Sequence, residues 1–448
     1  MKGPAKVYVT MGLTLVVLLM MYHLPQISLG DVQLRQVDVL ADLDADTTDD
    51  DADTTAPKKL APKGSWTDTW PEGVEPIEDY GTDSTGGMDS FYAALAKGKK
   101  LGRPVRVAYL SDSFVEGDIM LVDLRRILQQ HFGNGGLGWM RCRTNFDEGS
   151  LAAALSSSGF TPRHTMTPKD LNYAQYILPQ GYCEVSATAT ASVAPLAGSN
   201  TPSWSRSTVW GYTTSGATVS GSPAGGTVQW KAANGVQKAQ FSTPHTSRFT
   251  ATVSGSAKVF GMSLETDSGI VVDNFGVRGA SGLTLARMAE GLAKDFARQH
   301  PYDLIVIHFG LNVLEAKSTS KKCTWYTSKM KDCVNLIKRI YPQSAVLIVS
   351  ASDRAQRDPA TGKVRTLPAV PMLVRSQQQL AADMGVGYLN LFHLMGGKNS
   401  VVDMVNKHLA EKDYTHINRK GGKWVAERFA KSVVAGFDNY QRKKAAGY

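Results

Sequence analysis

The chain has 448 residues, 42% hydrophobic and 20% charged. That is ordinary globular composition, long enough for one large core or two domains, and it sets the chain apart from disordered sequences. With 49 basic and 40 acidic residues the net charge is +9, and the basic surplus fits an anionic polymer or a membrane surface as neighbour and equally a merely soluble basic surface.

At the N-terminus, Lys2 and Lys6 precede an apolar run from Val7 to Tyr22 that Pro25 closes. The run is long for a signal-peptide core and slightly short for a spanning helix. Ser28-Leu29-Gly30 is a weak cleavage site, and no lipobox cysteine follows. Residues 1–30 therefore read as a signal anchor or signal peptide, with the anchor preferred. The lysines stay inside and the rest is exported, placing the protein in the periplasm or cell envelope at the inner membrane. Residues 31–85 read as an acidic, disordered tether, because a segment so rich in Asp, Thr and Ala buries too little apolar surface to offset its ordering entropy. Its acids lack the glycine and terminal glutamate of a calcium loop. Residues 31–55 carry nine acids and one arginine, which leaves the rest of the chain near +17.

From residue 86 onward strand and helix alternate. Val105 to Leu110, Leu304 to His308, Ala345 to Ser350 and Val386 to Leu391 are short apolar runs suited to buried parallel strands. Helical spacing occupies Asp118 to Phe132, Leu285 to Arg298, Trp325 to Tyr341 and Pro371 to Met384, and a last helix spans Asn418 to Val434. This order predicts an α/β fold, a parallel sheet covered by helices on both faces, with its chemistry beyond the carboxyl ends of the strands. Two segments, 86–145 and 265–448, supply that fold. Between them, residues 146–264 turn rich in Ser, Thr, Gly and Val with short alternating runs, which predicts an inserted β-sandwich. Trp204, Trp210 and Trp230, with Tyr212, either offer a sugar-stacking surface or fill the sandwich core. Four cysteines in an exported chain permit two disulfides, Cys323 with Cys333 and Cys142 with Cys183. No Cys-x-x-Cys or His-rich cluster suggests a metal, and no cofactor is expected.

Four blocks in one order carry chemistry. Ser111-Asp112-Ser113 follows the first strand and precedes a helix, so the Ser113 hydroxyl stands at a strand-to-helix turn. Gly279, in Gly276-Val277-Arg278-Gly279, has a backbone N–H to donate. Asn312, in Gly310-Leu311-Asn312, has a side-chain amide just past a strand end. Asp413 and His416, in Asp413-Tyr414-Thr415-His416, project from one loop before the last helix. A nucleophilic serine needs a base, a carboxylate to orient the base, and donors aimed at the oxyanion of acyl transfer. The blocks supply each part, so the set reads as a serine esterase.

These residues resemble the SGNH hydrolases, or GDSL family. The resemblance implies a three-layer α/β/α fold. It makes Ser113 nucleophile and oxyanion donor, Gly279 and Asn312 the other oxyanion donors, His416 the base and Asp413 its orienting acid. Ser111 to Asp118, Phe132 to Gly138, Met395-Gly396-Gly397 and Asp413 to Ile417 are similar to the exported peptidoglycan O-acetylesterases, whose catalytic fold is likewise interrupted by a carbohydrate-binding-like β-domain. Ser111 replaces the usual glycine, Val313 replaces a common aspartate, and Arg278 sits beside the oxyanion glycine, where it suits an anionic sugar or a peptide carboxylate. The implied substrate is an O-acylated glycan such as peptidoglycan, with Arg278 and the three tryptophans as binding residues and no nucleic-acid partner. Acyl transfer to a sugar hydroxyl, a lipase or lysophospholipase activity, and an inactive glycan-binding scaffold are the alternative readings.

Overall fold

The computed structural model describes residues 28–29, 32–33, 66–81, 87–143, 149–196, 203–358 and 361–448. The expected N-terminal segment and most of the acidic tether lie outside these residues. Within the first unit, residues 1–56, Ser28–Leu29 pairs antiparallel with Val32–Gln33. Among the described residues no helix is long and apolar enough to cross a membrane.

Residues 57–448 form one compact unit. Its central sheet comprises β1 (Ile77–Asp79), β2 (Val105–Ser111), β3 (Ile270–Gly276), β4 (Leu304–His308), β5 (Ala345–Val349) and β6 (Gly387–Leu389). The spatial order is β3-β2-β4-β5-β6-β1, parallel throughout except for β1, which runs antiparallel along β6. The helices are α1 (Asp89–Lys97), α2 (Leu121–Phe132), α3 (Glu290–Gln299), α4 (Ser320–Ile340), α5 (Ala369–Met384), α6 (Leu391–Leu394), α7 (Ser400–Asn406) and α8 (Arg419–Ala445).

Alternate strand residues pack on opposite faces, as the period of two demands. Val105, Val107, Tyr109, Val306 and Leu347 meet α1, α2 and α8 through Phe91, Leu124, Phe429 and Val433. Ala108, Leu110, Ile305, Ile307 and Ile348 meet α3, α4 and α5 through Phe296, Val334 and Leu373. This is the three-layer α/β/α arrangement. The apolar runs predict the strands closely, whereas α4 starts five residues before its predicted N-terminus, where the Thr319 hydroxyl accepts from Lys322 N–H at its first turn.

Part of the expected tether belongs to the fold. Ile77 and Tyr80 are buried, and the Asp79 carboxylate accepts from the N–H groups of Gly81 and Met88 at 2.9 and 3.1 Å. Acidic and proline-rich composition hid this three-residue edge strand.

Between β2 and β3 the chain builds two antiparallel sheets. One orders Gln237–Thr246, Trp204–Tyr212, Ala257–Glu265, Tyr182–Val185 and Thr161–Arg163, with Gly136–Met140 also paired to Ala257–Glu265. The other orders Thr227–Trp230, Ala217–Ser222, Phe249–Gly255, Thr188–Pro195 and Ala153–Ser158. They enclose Val193, Val209, Val219, Val253 and Val259. The antiparallel pairing thus begins at Gly136, before the expected start of the insertion. A buried ion pair ties this region to β2, with Arg106 Nε and Nη2 donating to Glu265 at 2.6 and 2.8 Å.

The tryptophans do not offer a stacking surface. Trp204, Trp210 and Trp230 are 0%, 3% and 2% exposed. Trp204 Nε1 donates to Ser207 Oγ at 2.8 Å and Trp210 Nε1 to Ser263 Oγ at 2.9 Å, which lets each indole sit in the core with its N–H satisfied. Trp210 packs edge-on against Phe296 of α3, joining the antiparallel sheet to the catalytic layer. The disulfides are absent too, as all four cysteines are free and buried. Cys323 and Cys333 lie ten residues apart on α4, about 15 Å along a helix axis and far beyond disulfide reach.

Trp210→Ala should therefore destabilise the fold by about 3–5 kcal/mol, the usual cost of emptying a large aromatic site. Denaturant unfolding checks this, and an unchanged midpoint would return the ring to the surface.

Candidate active site

Parallel register brings the blocks together. Ser111, at the end of β2, stands opposite Gly276 of β3 on one side and His308 of β4 on the other. Ser113, Gly279 and Asn312 each follow within a few residues, so their loops leave the same edge of the sheet. Positive φ is needed at two turns here, and glycine supplies it at Gly279 (φ 70°) and Gly310 (φ 139°).

The fourth block arrives by the docking of α8. Asn418 caps this helix, accepting from the N–H groups of Lys420 and Gly421. A Cβ at Gly422 would lie 2.0 Å from the Ile119 carbonyl oxygen, so glycine alone lets the helix start touch the turn after Ser113. The preceding loop is closed by Glu411 N–H donating to the His416 carbonyl at 2.7 Å. Within it Tyr414 takes the left-handed conformation, φ 56°. That turn points the N–H groups of Thr415 and His416 at Asp413 Oδ1, each at 3.0 Å.

The resulting chain of contacts is short. Ser113 Oγ lies 3.0 Å from His416 Nε2, and His416 Nδ1 lies 2.6 Å from Asp413 Oδ2. A proton on Nδ1, held by Asp413, leaves Nε2 as acceptor for the Ser113 hydroxyl. Burial pushes the Asp413 carboxyl up, but the His416 and backbone hydrogen bonds outweigh it and hold the group below the usual carboxylate range. Asp413 and His416 are about half exposed, so the site is open rather than tunnelled.

Asn312 is more constrained than its sequence suggests. Its Nδ2 donates to Asp112 Oδ2 at 2.8 Å and to the Ala280 carbonyl at 3.0 Å. Asp112 also accepts from Phe114 N–H at 3.0 Å, yet burial pushes its carboxyl up to about 6. The Asn312 turn is clamped from behind by Arg354, whose Nη1 donates to the carbonyls of Leu311 and Leu314 at 3.1 and 3.2 Å. Asp112, Arg354 and Gly422 were not predicted as site residues. Asp112 stands inside the nucleophile block, and Gly421-Gly422 at a helix start is an unusual pair, so those two left a trace. Arg354 left none.

Arg278 Nε donates to Glu116 Oε2 at 2.8 Å. The three predicted tryptophans stay in the cores described above. Among the described residues no group of three His, Cys, Asp or Glu side chains stands close enough to hold a metal.

Residues 246–424 match the GDSL-like Lipase/Acylhydrolase family. That stretch carries the family's signature. The chain is an SGNH-type acylhydrolase, a carboxylic ester hydrolase. No curated protein matches the sequence. Among solved structures, a peptidoglycan O-acetylesterase is similar with a TM-score of 0.67 at 21% identity, over 81% of this chain and 99% of its own. A Corynascus thermopiles carbohydrate esterase family 2 enzyme with a carbohydrate-binding domain gives a TM-score of 0.29 at 11% identity, over 63% of this chain and 100% of its own. A carbohydrate acetylesterase from Sinorhizobium meliloti gives 0.27 at 16% identity, over 37% and 79%.

At the end of β4, His308 is fully buried, its Nδ1 3.2 Å from the Tyr109 hydroxyl and 3.3 Å from that of Ser111. Burial lowers its pKa to about 3. The folded value lies below the unfolded one, so the neutral imidazole contributes its full stability above pH 6.5 and loses it as pH falls towards 3. At about 1.4 kcal/mol per pH unit, wild-type stability should fall by about 2 kcal/mol more than that of His308→Gln between pH 6.5 and 5. Urea unfolding at both pH values measures the difference, and parallel losses would contradict it.

Proposed function

We propose that the protein removes O-acetyl groups from an exported glycan, peptidoglycan being the favoured polymer, through an acyl-enzyme on Ser113. The observation that carries this reading is the contact series Ser113, His416, Asp413 at 3.0 and 2.6 Å. Ser113 Oγ attacks the ester carbonyl carbon as its proton passes to His416 Nε2, and the carbonyl oxygen becomes the oxyanion. Collapse breaks the bond to the sugar oxygen, which leaves with the proton from His416. Water then attacks the acyl-enzyme with His416 again as base, releasing acetate and restoring Ser113.

The N–H groups of Ser113 and Gly279 and the Asn312 amide are the proposed oxyanion donors. For Asn312 this means exchanging the Ala280 carbonyl for the oxyanion while the bond to Asp112 holds the amide in place. Asp413 keeps the Nδ1 proton in position and faces the imidazolium during attack. Support for a glycan comes from the half-exposed dyad, which leaves room for a polymer on either side, and from the shared fold of the peptidoglycan O-acetylesterase. Support for export to the envelope comes from Lys2 and Lys6 ahead of the apolar run.

Ser113→Ala and His416→Ala should each cut turnover of a small acetyl ester by several orders of magnitude with thermal unfolding little changed. Wild-type turnover in either variant removes the assignment. Asn312→Ala should lower kcat about a hundredfold or more with KM nearly constant, since its amide donates chiefly to charge developed in the transition state. Incubation with O-acetylated peptidoglycan and measurement of released acetate tests the polymer, and activity on the small ester alone would reject it.

A further inference from the structure

The two buried arginines, Arg106 and Arg125, are paired, and the half-buried Arg141 differs from them. Arg106 is paired with Glu265, and Arg125 donates to Asp118 at 3.3 Å and to the Val272 carbonyl at 2.7 Å. Arg141, just past the strand Gly136–Met140, has neither: no described residue accepts a hydrogen bond from its guanidinium or lies within ion-pair distance of it. The acids nearest in charge are Glu116 and Asp118, and both are taken. Glu116 Oε2 accepts from Arg278, while Asp118 accepts from Arg125, from Asn274 Nδ2 at 3.2 Å and from the Ser150 hydroxyl.

Burial lowers the pKa of Arg141 from its usual value. A guanidinium nevertheless keeps its proton, so the charge stays, partly withdrawn from water and with no partner among the described residues. Such a group is stabilised by an anion brought from outside.

The place where that anion would bind is a pocket lined by Arg141, Arg143, His164, Cys183, Val277 and Arg278. Val277 and Arg278 immediately precede Gly279, and Glu116, three residues after Ser113, lines the same pocket. The pocket therefore adjoins the proposed oxyanion loop. Among the described lining residues the charges are mainly cationic: Glu116 accepts from Arg278, and Arg141 and the exposed Arg143 stand beside them. A planar fork of N–H donors suits a carboxylate, which two parallel hydrogen bonds can hold.

We propose that this pocket is a subsite for a carboxylate carried by the acylated sugar or its neighbour, with Arg141 as the principal contact, so that the enzyme selects acidic glycan esters. This rests on the esterase reading above for its functional meaning, but its binding can be measured without any ester. The probes are glucuronate and glucose, titrated into the wild-type protein by calorimetry. Glucuronate should bind and glucose should bind at least tenfold more weakly. Arg141→Gln should lose that preference, and Arg141→Lys, which keeps the charge without the fork, should retain only part of it. A melting temperature for each variant shows whether it is folded; should Arg141→Gln fail to fold, the lysine variant and the wild-type comparison decide. Equal binding of the two sugars by wild type overturns the proposal, as does a preference that survives intact in a folded Arg141 variant. Because neither probe contains an ester, failure here leaves the Ser113 assignment standing, and loss of that assignment leaves the subsite standing.

Discussion

The parallel register at Ser111 is the constraint from which the site follows. With Ser111 opposite both Gly276 and His308, three strands end level and three loops emerge side by side. A slip of one residue would turn Val107 and Tyr109 into the opposite helical layer and Ala108 and Leu110 the other way, exchanging the contents of two packed cores. The cores thus fix the register, and the register brings together Ser113, Gly279 and Asn312, residues separated by up to two hundred positions. His416 is not a strand-end residue and needs a separate device, the close approach of α8 at Gly422.

Charge is handled differently in the scaffold and at the site. In the scaffold, Glu265 is paired with Arg106, and Asp303 with Arg103 and with the N–H of Arg106. Such pairs offset their own desolvation and specify which surfaces meet. At the site the pairing is loosened. Asp112 is buried with amide donors only and no cation in contact, and its carboxyl is pushed up to about 6 as a result. Asp413 lies in the open and is held down by hydrogen bonds instead. Two carboxylates within one loop cluster are thereby driven in opposite directions, the outer one held down beside His416 and the inner one pushed up while it accepts from the Asn312 amide.

Much of this was legible in the sequence because it depends on local patterns. Continuous apolar runs such as Leu304 to His308 report a doubly covered strand, and Ser113, Asn312 and His416 stand in short blocks whose residue types have few other uses together. What was illegible depends on partners distant in sequence. Trp204 and Trp210 look the same in sequence whether they stack on a sugar or fill a core, and their burial is decided by Ser207, Ser263 and Phe296. The pairing of Cys323 with Cys333 looked reasonable from parity and spacing, yet one continuous helix holds them apart. The edge strand Ile77–Asp79 was hidden because its pairing with β6 spans some three hundred residues. Arg141 left no trace in the sequence, because an arginine with no partner among the described residues is recognised only once its surroundings are known.

The integration of the antiparallel region bears on how the site meets a polymer. Arg106 with Glu265, Trp139 with Asp273 and Trp210 with Phe296 are buried links between that region and the catalytic layers. A region so attached turns with the active site rather than swinging on a tether, so any group it presents stands at a fixed distance from Ser113. Arg141 and His164 come from this region, while Val277 and Arg278 come from the oxyanion loop, and one pocket holds all four. On the proposed reading, rigid placement makes that pocket a ruler: an anionic group at one spacing from the ester would occupy it while the carbonyl lies against Ser113. In the proposed reaction the open dyad would admit water to the acyl-enzyme from the uncovered side, and selectivity would come from how the acyl donor is held. Fixed geometry of this kind is how a shallow site can be selective without a lid.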